Sequence, residues 1–157
     1  MDLLITGIVA GVIGTIVMDL LNNLVARTGA FLKIDVVMIV RMAAGWTRGR
    51  FRYDHPDEME HVSNEMLYGY LMHFGIGVGL AVPFIIIWGL STGNIVPPVW
   101  AFLYGVSTTA ASFFFVYPSM GLGVCGMKSP EKIEAFISPL ANHLFYGIGL
   151  AVGVALL

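Results

Sequence analysis

"HFGIGVGLAV" fills residues 73–82, and "HLFYGIGLAV" fills residues 143–152. Aligned without gaps, they share six of ten positions: the histidine, two glycines and a closing Leu-Ala-Val. Each is a glycine-rich apolar run headed by one imidazole. A histidine and its glycines repeated in the same phase predict an internally duplicated chain. The repeated unit is a pair of helices, because a second apolar stretch precedes each copy.

Composition says what kind of helices these are. Of the 157 residues, 57% are hydrophobic and 11% are charged, and the mean hydropathy is +0.83. A soluble domain carries about 25% charged residues, so this chain lacks the polar residues to coat a core in water. A bilayer core about 30 Å thick takes roughly 20 apolar residues in a helix. Four stretches are long enough: Leu3 to about Val25, Met66 to Leu90, Val96 to about Tyr117, and Ile133 to Leu157. The first is read as a retained span rather than a signal peptide, because Asp2 replaces a basic n-region and no small-residue cleavage site follows.

The expected fold is an all-α membrane protein, residues 1–157 forming one transmembrane domain. Its four transmembrane helices form two parallel two-helix repeats, about 1–90 and about 96–157, related by an axis along the membrane normal. Gly7 and Gly11, Gly75 and Gly79, and Gly149 and Gly153 are each four residues apart. That spacing lets helices approach closely in lipid, within one bundle or across a homodimer.

Charge sets the expected orientation. The loop over about 27–64 carries Arg27, Lys33, Arg41, Arg48, Arg50 and Arg52, and the loop before span four carries Lys128 and Lys132. Neither terminus nor the turn over 91–95 carries a Lys or Arg. The positive-inside rule places both long loops in the cytoplasm and both termini outside. Within the first loop, "KIDVVMIVRMAAGW" (33–46) is apolar but too short to span, so it is read as an interfacial or re-entrant segment. Pro56 followed by Asp57 and Glu58 reads as a helix start that could run into span two. No basic stripe points to nucleic acid. No nucleophile elbow, phosphate loop or zinc-protease motif points to an enzyme. One cysteine, Cys125, excludes an intrachain disulfide.

Ionisable groups inside spans are costly and mark candidate sites. In the expected orientation Asp19 lies about 9 Å, His73 about 10 Å and His143 about 15 Å from the cytoplasmic ends of their helices. All three converge on one leaflet. Asn142 adjoins His143, Asn22 and Asn23 lie one turn from Asp19, Tyr117 could add a hydroxyl, and Glu65 lies about 12 Å below His73. This set suits proton-coupled transport of a small solute, or ligand binding. The alternative is a haem b or transition-metal electron-transfer subunit using His73, His143 and Asp19. A third reading is an accessory subunit, the partners being the lipid bilayer and a homodimer or larger membrane complex.

The order of motifs adds a resemblance. "GTIVMDLL" (14–21), "RGRFRYD" (48–54), Glu65 with "GYLMHFGIG" (69–77), "YPSMGLGVCGMKSP" (117–130) and "NHLFYGIGL" (142–150) resemble domain of unknown function 2938, a bacterial membrane family. Tyr53 and Cys125 depart from that pattern. The resemblance implies a protein of the bacterial cytoplasmic (inner) membrane and assigns neither substrate nor catalytic residues. Its P-x-M-G-x-G loop matches Pro118, Met120, Gly121 and Gly123, and suggests tight turns at the cytoplasmic mouth. The Arg48–Arg50 stretch could cap that mouth and meet an anion there.

Overall fold

The computed structural model describes residues 2–27, 29 and 35–157. Lys33, one of the loop cations, lies outside the described residues, as does Ile34 of the apolar loop segment. Helix α1 spans Leu3–Ala26, α2 Val36–Thr47, α3 Glu65–Thr92 and α4 Pro98–Ser107. Short helices α5 (Thr109–Ala111) and α6 (Tyr117–Ser119) flank a π-turn, Ser112–Val116, and α7 spans Lys132–Ala155. There is no strand among the described residues. Four helices are long and apolar enough to cross a membrane: α1, α3, the broken helix Pro98–Ser119, and α7.

Local chemistry fixes the ends. The Asp2 carboxylate accepts from the backbone N–H groups of Leu4 and Ile5, and Asp35 does the same for Val37 and Met38. Pro98 opens α4, where its missing N–H costs nothing. Gly93, at φ +69°, closes α3 by donating its N–H to Gly89 O. The helix expected from Pro56 does not run into span two. It is one 3₁₀ turn, Pro56–Glu58, and α3 starts only after Asn64, whose φ of +53° no helix continues through. The third span is not one regular helix either. Thr108 and Thr109 donate their hydroxyls to the carbonyls of Gly105 and Val106, and the π-turn follows. Such back-bonds bend helices.

The spans close into a bundle in the order α3, α1, α7, α4. Every neighbouring pair is antiparallel. Along α1, Gly7, Gly11 and Asp19 meet Val82, Val78 and His73 of α3. On the other side Ala10, Gly14 and Asn22 meet Gly153, Gly149 and Asn142 of α7. Gly149 sits so near α1 that an added Cβ would come 2.6 Å from Gly14 Cα, so a bare backbone is required there. Gly105 of α4 faces Gly147 of α7. Tyr104 of α4 closes the ring, stacking on Phe84 at 4.0 Å and donating to Leu80 O at 2.8 Å. Tyr146, almost wholly buried, crosses the bundle and donates its hydroxyl to Gly77 O.

The long loop is folded onto the bundle end. Met42, Tyr53, Met59 and Met120 form a second buried cluster. Ser119 ties it together: its Oγ accepts from Trp46 Nε1 (2.8 Å) and donates to Phe51 O (2.6 Å), and its carbonyl accepts from Tyr53 N (3.0 Å). The apolar segment of that loop is the amphipathic helix α2, packed on the start of α3.

Candidate intramembrane site

The bundle order decides which polar residues meet. Asp19 projects from the last third of α1 toward α3, and His73 answers it. His73 Nε2 lies 2.9 Å from Asp19 Oδ1, with side chains 7% and 25% exposed. With Asp19 ionised, Nε2 is the donor, whichever charge the ring carries. Among the described residues nothing hydrogen-bonds His73 Nδ1.

One turn further along α1, buried Asn22 donates to Asn142 Oδ1 of α7 at 2.5 Å. Beside Asn142, His143 turns toward the third span. Its Nδ1 is 2.7 Å from Thr108 Oγ1 and its Nε2 is 2.9 Å from Ser112 Oγ. A polar stratum therefore crosses the apolar bundle: His73–Asp19 between α3 and α1, Asn22–Asn142 between α1 and α7, and His143–Thr108–Ser112 between α7 and the third span. Each contact is an interhelical hydrogen bond, a kind of tie worth about 0.6 kcal/mol on average and up to about 1.7 between helices in lipid.

The other expected site residues lie apart from this stratum. Glu65 is taken up in an ion pair. It receives both Nε and Nη2 of Arg41 at 2.7 Å, a bidentate pair that pins α2 to α3, and the Arg41 guanidinium also reaches His61 Nδ1 at 2.8 Å. The hydrogen bond to Glu65 raises the Arg41 pKa above its ordinary value. Arg48 pairs with Glu60 and Arg50 with Glu58, and the Arg50 guanidinium lies 4.2 Å over the Tyr53 ring. An anion at those arginines would compete with carboxylates already in place. Tyr117 packs against Phe113 rather than reaching the histidines. Thr108 and Ser112 were not expected from sequence. The signal was "STTAAS" (107–112), a hydroxyl cluster inside an otherwise apolar span.

As metal ligands the donors are poorly disposed. Both nitrogens of His143 are engaged by hydroxyls, and Nε2 of His73 by a carboxylate, so a bis-imidazole haem would require breaking one of these bonds. No group of three His, Cys, Asp or Glu side chains gathers to hold a metal among the described residues. Two cavities lie away from the stratum. One of about 260 Å³ sits at the opposite end, between Leu3, Thr6, Ile85, Gly89 and the 93–96 turn. The other, a groove of about 520 Å³, runs between α2 and α3 past Val40, Ala44, Tyr68 and Met72.

These features define a class: a small polytopic membrane protein with a partly buried Asp–His pair in a four-helix bundle. Residues 8–157 match the family described as protein of unknown function (DUF2938), and the chain belongs to that family. No curated protein and no solved structure matches it.

Proposed function

We propose that the stratum is a proton-transfer site, and that the protein couples proton movement to a small solute across a bacterial inner membrane. The observation that carries this reading is the Asp19–His73 bond of 2.9 Å inside two apolar spans. Placing a carboxylate there costs about 2.5–3.5 kcal/mol on insertion scales, more than one interhelical hydrogen bond returns. A structural tie needs no charge at that depth; a group that must gain and lose a proton does.

The geometry also supports duplication. In the first helix pair Gly11 meets the Gly77–Val78 backbone, and a polar residue eight positions after Gly11, Asp19, meets a histidine four before Gly77. In the second pair Gly105 meets Gly147, and Ser112, seven after Gly105, meets the histidine four before Gly147. We read these as diverged copies of one hairpin, with a carboxylate in the first copy and hydroxyls in the second. The termini are assigned outside, on the end away from the loop cations.

The test is proton flux into liposomes that hold the purified protein and a trapped pH-sensitive dye, driven by a potassium diffusion potential. Flux well above protein-free vesicles is expected, and its loss in both Asp19→Asn and His73→Gln. Undiminished flux in Asp19→Asn would sink the reading, as would wild-type vesicles no leakier than empty ones both without solute and with the small-molecule filtrate of a bacterial extract in the bath.

The accessory-subunit reading has one observation in its favour. A Cβ added at Gly75 or Gly79 meets nothing within 4 Å, so this small-residue face of α3 is open. Copurification with a second membrane protein in mild detergent, lost in Gly79→Leu, would favour it.

A further inference from the structure

We infer that Thr108 and Ser112 are positioning residues that hold His143 neutral, with its proton on Nδ1 and its Nε2 lone pair turned to the Ser112 hydroxyl. The inference rests on the proton-transfer reading above and adds which atom takes the proton and what controls it.

The assignment comes from counting hydrogens. A threonine hydroxyl has one, and Thr108 directs it to the Gly105 carbonyl at 2.5 Å, an acceptor that has none to give back. The 2.7 Å contact between Thr108 Oγ1 and His143 Nδ1 still needs a hydrogen between its atoms. Only Nδ1 can supply it, so Nδ1 is protonated. At the other ring nitrogen, Ser112 Oγ lies 2.9 Å from Nε2 and has no other hydrogen-bond partner among the described residues. If the ring were a cation, Nε2–H would donate to Ser112, and the serine hydrogen would point at nothing. In the neutral ring Ser112 donates to the Nε2 lone pair and every hydrogen is placed.

The two aligned histidines thus carry a fixed proton on opposite ring nitrogens. Asp19 fixes the proton of His73 on Nε2, and Thr108 fixes that of His143 on Nδ1. Proton uptake at His143 forms an Nε2–H bond and leaves an imidazolium. Ser112 must then reverse from donor to acceptor. The reversal needs only a turn of the Ser112 hydroxyl hydrogen about the Cβ–Oγ bond, since Ser112 Oγ has no second partner among the described residues to hold it. Thr108, held by its own back-bond, does not move. One hydroxyl is a fixed clamp and the other a gate.

The experiment is ¹⁵N solid-state NMR of the full chain in lipid bilayers at neutral pH, with labelled histidine. There are four histidines, and the His143 signals are those missing from His143→Gln. One protonated nitrogen, Nδ1, and one bare nitrogen, Nε2, are expected. An Nε2–H tautomer or a doubly protonated ring overturns the inference. Thr108→Val is expected to move about half or more of the His143 signal to the Nε2–H form, and Thr108→Ser to restore the wild-type pattern. A residue that merely packs would not move the tautomer, so an unchanged spectrum in Thr108→Val removes the clamp. If Thr108→Val fails to fold, the wild-type spectrum and Ser112→Ala decide. Ser112→Ala should keep Nδ1–H while the Nε2 resonance shifts as it loses its donor; an unmoved Nε2 removes the gate. An Nδ1–H ring in a protein without proton flux leaves the assignment standing and defeats the transport reading. Flux with the other tautomer defeats the inference alone.

Discussion

Replacing the Asp19 carboxylate by a carboxamide separates its two roles. Asparagine still offers His73 Nε2–H an acceptor, so Asp19→Asn is expected to unfold within about 0.5 kcal/mol of wild type, as is usual where no cavity, clash or orphan donor is made. It cannot take a proton, so proton flux should vanish. Asp19→Leu removes the acceptor as well and should lose a further 0.6–1.7 kcal/mol or about that, the range for one interhelical hydrogen bond in lipid. Denaturation in mixed micelles, followed by tryptophan fluorescence, measures both. Equal destabilisation by the two variants would mean that the carboxylate matters to the fold through its charge. Asp19 and the histidines were legible in the sequence because lipid makes charge expensive, and a costly residue kept in a span advertises itself. Thr108 and Ser112 were not. A hydroxyl in a membrane helix can satisfy itself on its own backbone, so its presence in a span carries no such signal until its neighbours are known.

Helices follow the same logic one level up. Three glycine pairs share the four-residue spacing, and the spacing says only that both members lie on one face. Gly149 and Gly153 are pressed against α1, whereas Gly75 and Gly79 face open space. Gly149→Val is therefore expected to destabilise by about 1–3 kcal/mol, since its Cβ would press on backbone that cannot step aside. Gly79→Ala should be neutral or slightly stabilising, because alanine is the better helix former by about 1 kcal/mol. Thermal denaturation in detergent compares them. A strong loss in Gly79→Ala alone would reveal a neighbour on that face. Span lengths and positions were readable because hydropathy and bilayer thickness fix them. The break in the third span was not: Thr108 before it and Ser112 at the start of the π-turn both meet His143 of α7, contacts 31–35 residues away in the chain. The bidentate pair of Arg41 and Glu65 was equally hidden, since it depends on α2 folding back along α3. Ser119 makes the same point for the loop. Ser119→Ala removes the donor to Phe51 O and the acceptor for Trp46 Nε1, and should raise amide exchange across residues 46–54 while that of α1 and α7 stays unchanged.

At the scale of the whole molecule, the antiparallel order of the bundle puts both termini at one end and both long loops at the other. Every Lys and Arg falls in those loops or, as Lys132, at the first residue of α7, and three are paired with Glu58, Glu60 and Glu65. Local neutralisation does not weaken the orientation argument. The positive-inside bias counts Lys and Arg during insertion, before any ion pair has formed, and carboxylates contribute little to it. The chain supplies its own probe of the outcome. Its one cysteine, Cys125, is unpaired and partly exposed in the loop between the third span and α7. A membrane-impermeant maleimide should leave Cys125 unmodified in intact bacterial cells and modify it in inverted vesicles, and a small epitope appended at the C-terminus should show the opposite pattern. Labelling of Cys125 from outside would invert the molecule and place the polar stratum in the outer leaflet. The proton-transfer site proposed above would then open outward, although no bond within it would change. Orientation is thus a property that the geometry of the site does not carry, and it is argued from the distribution of eight cations along the chain.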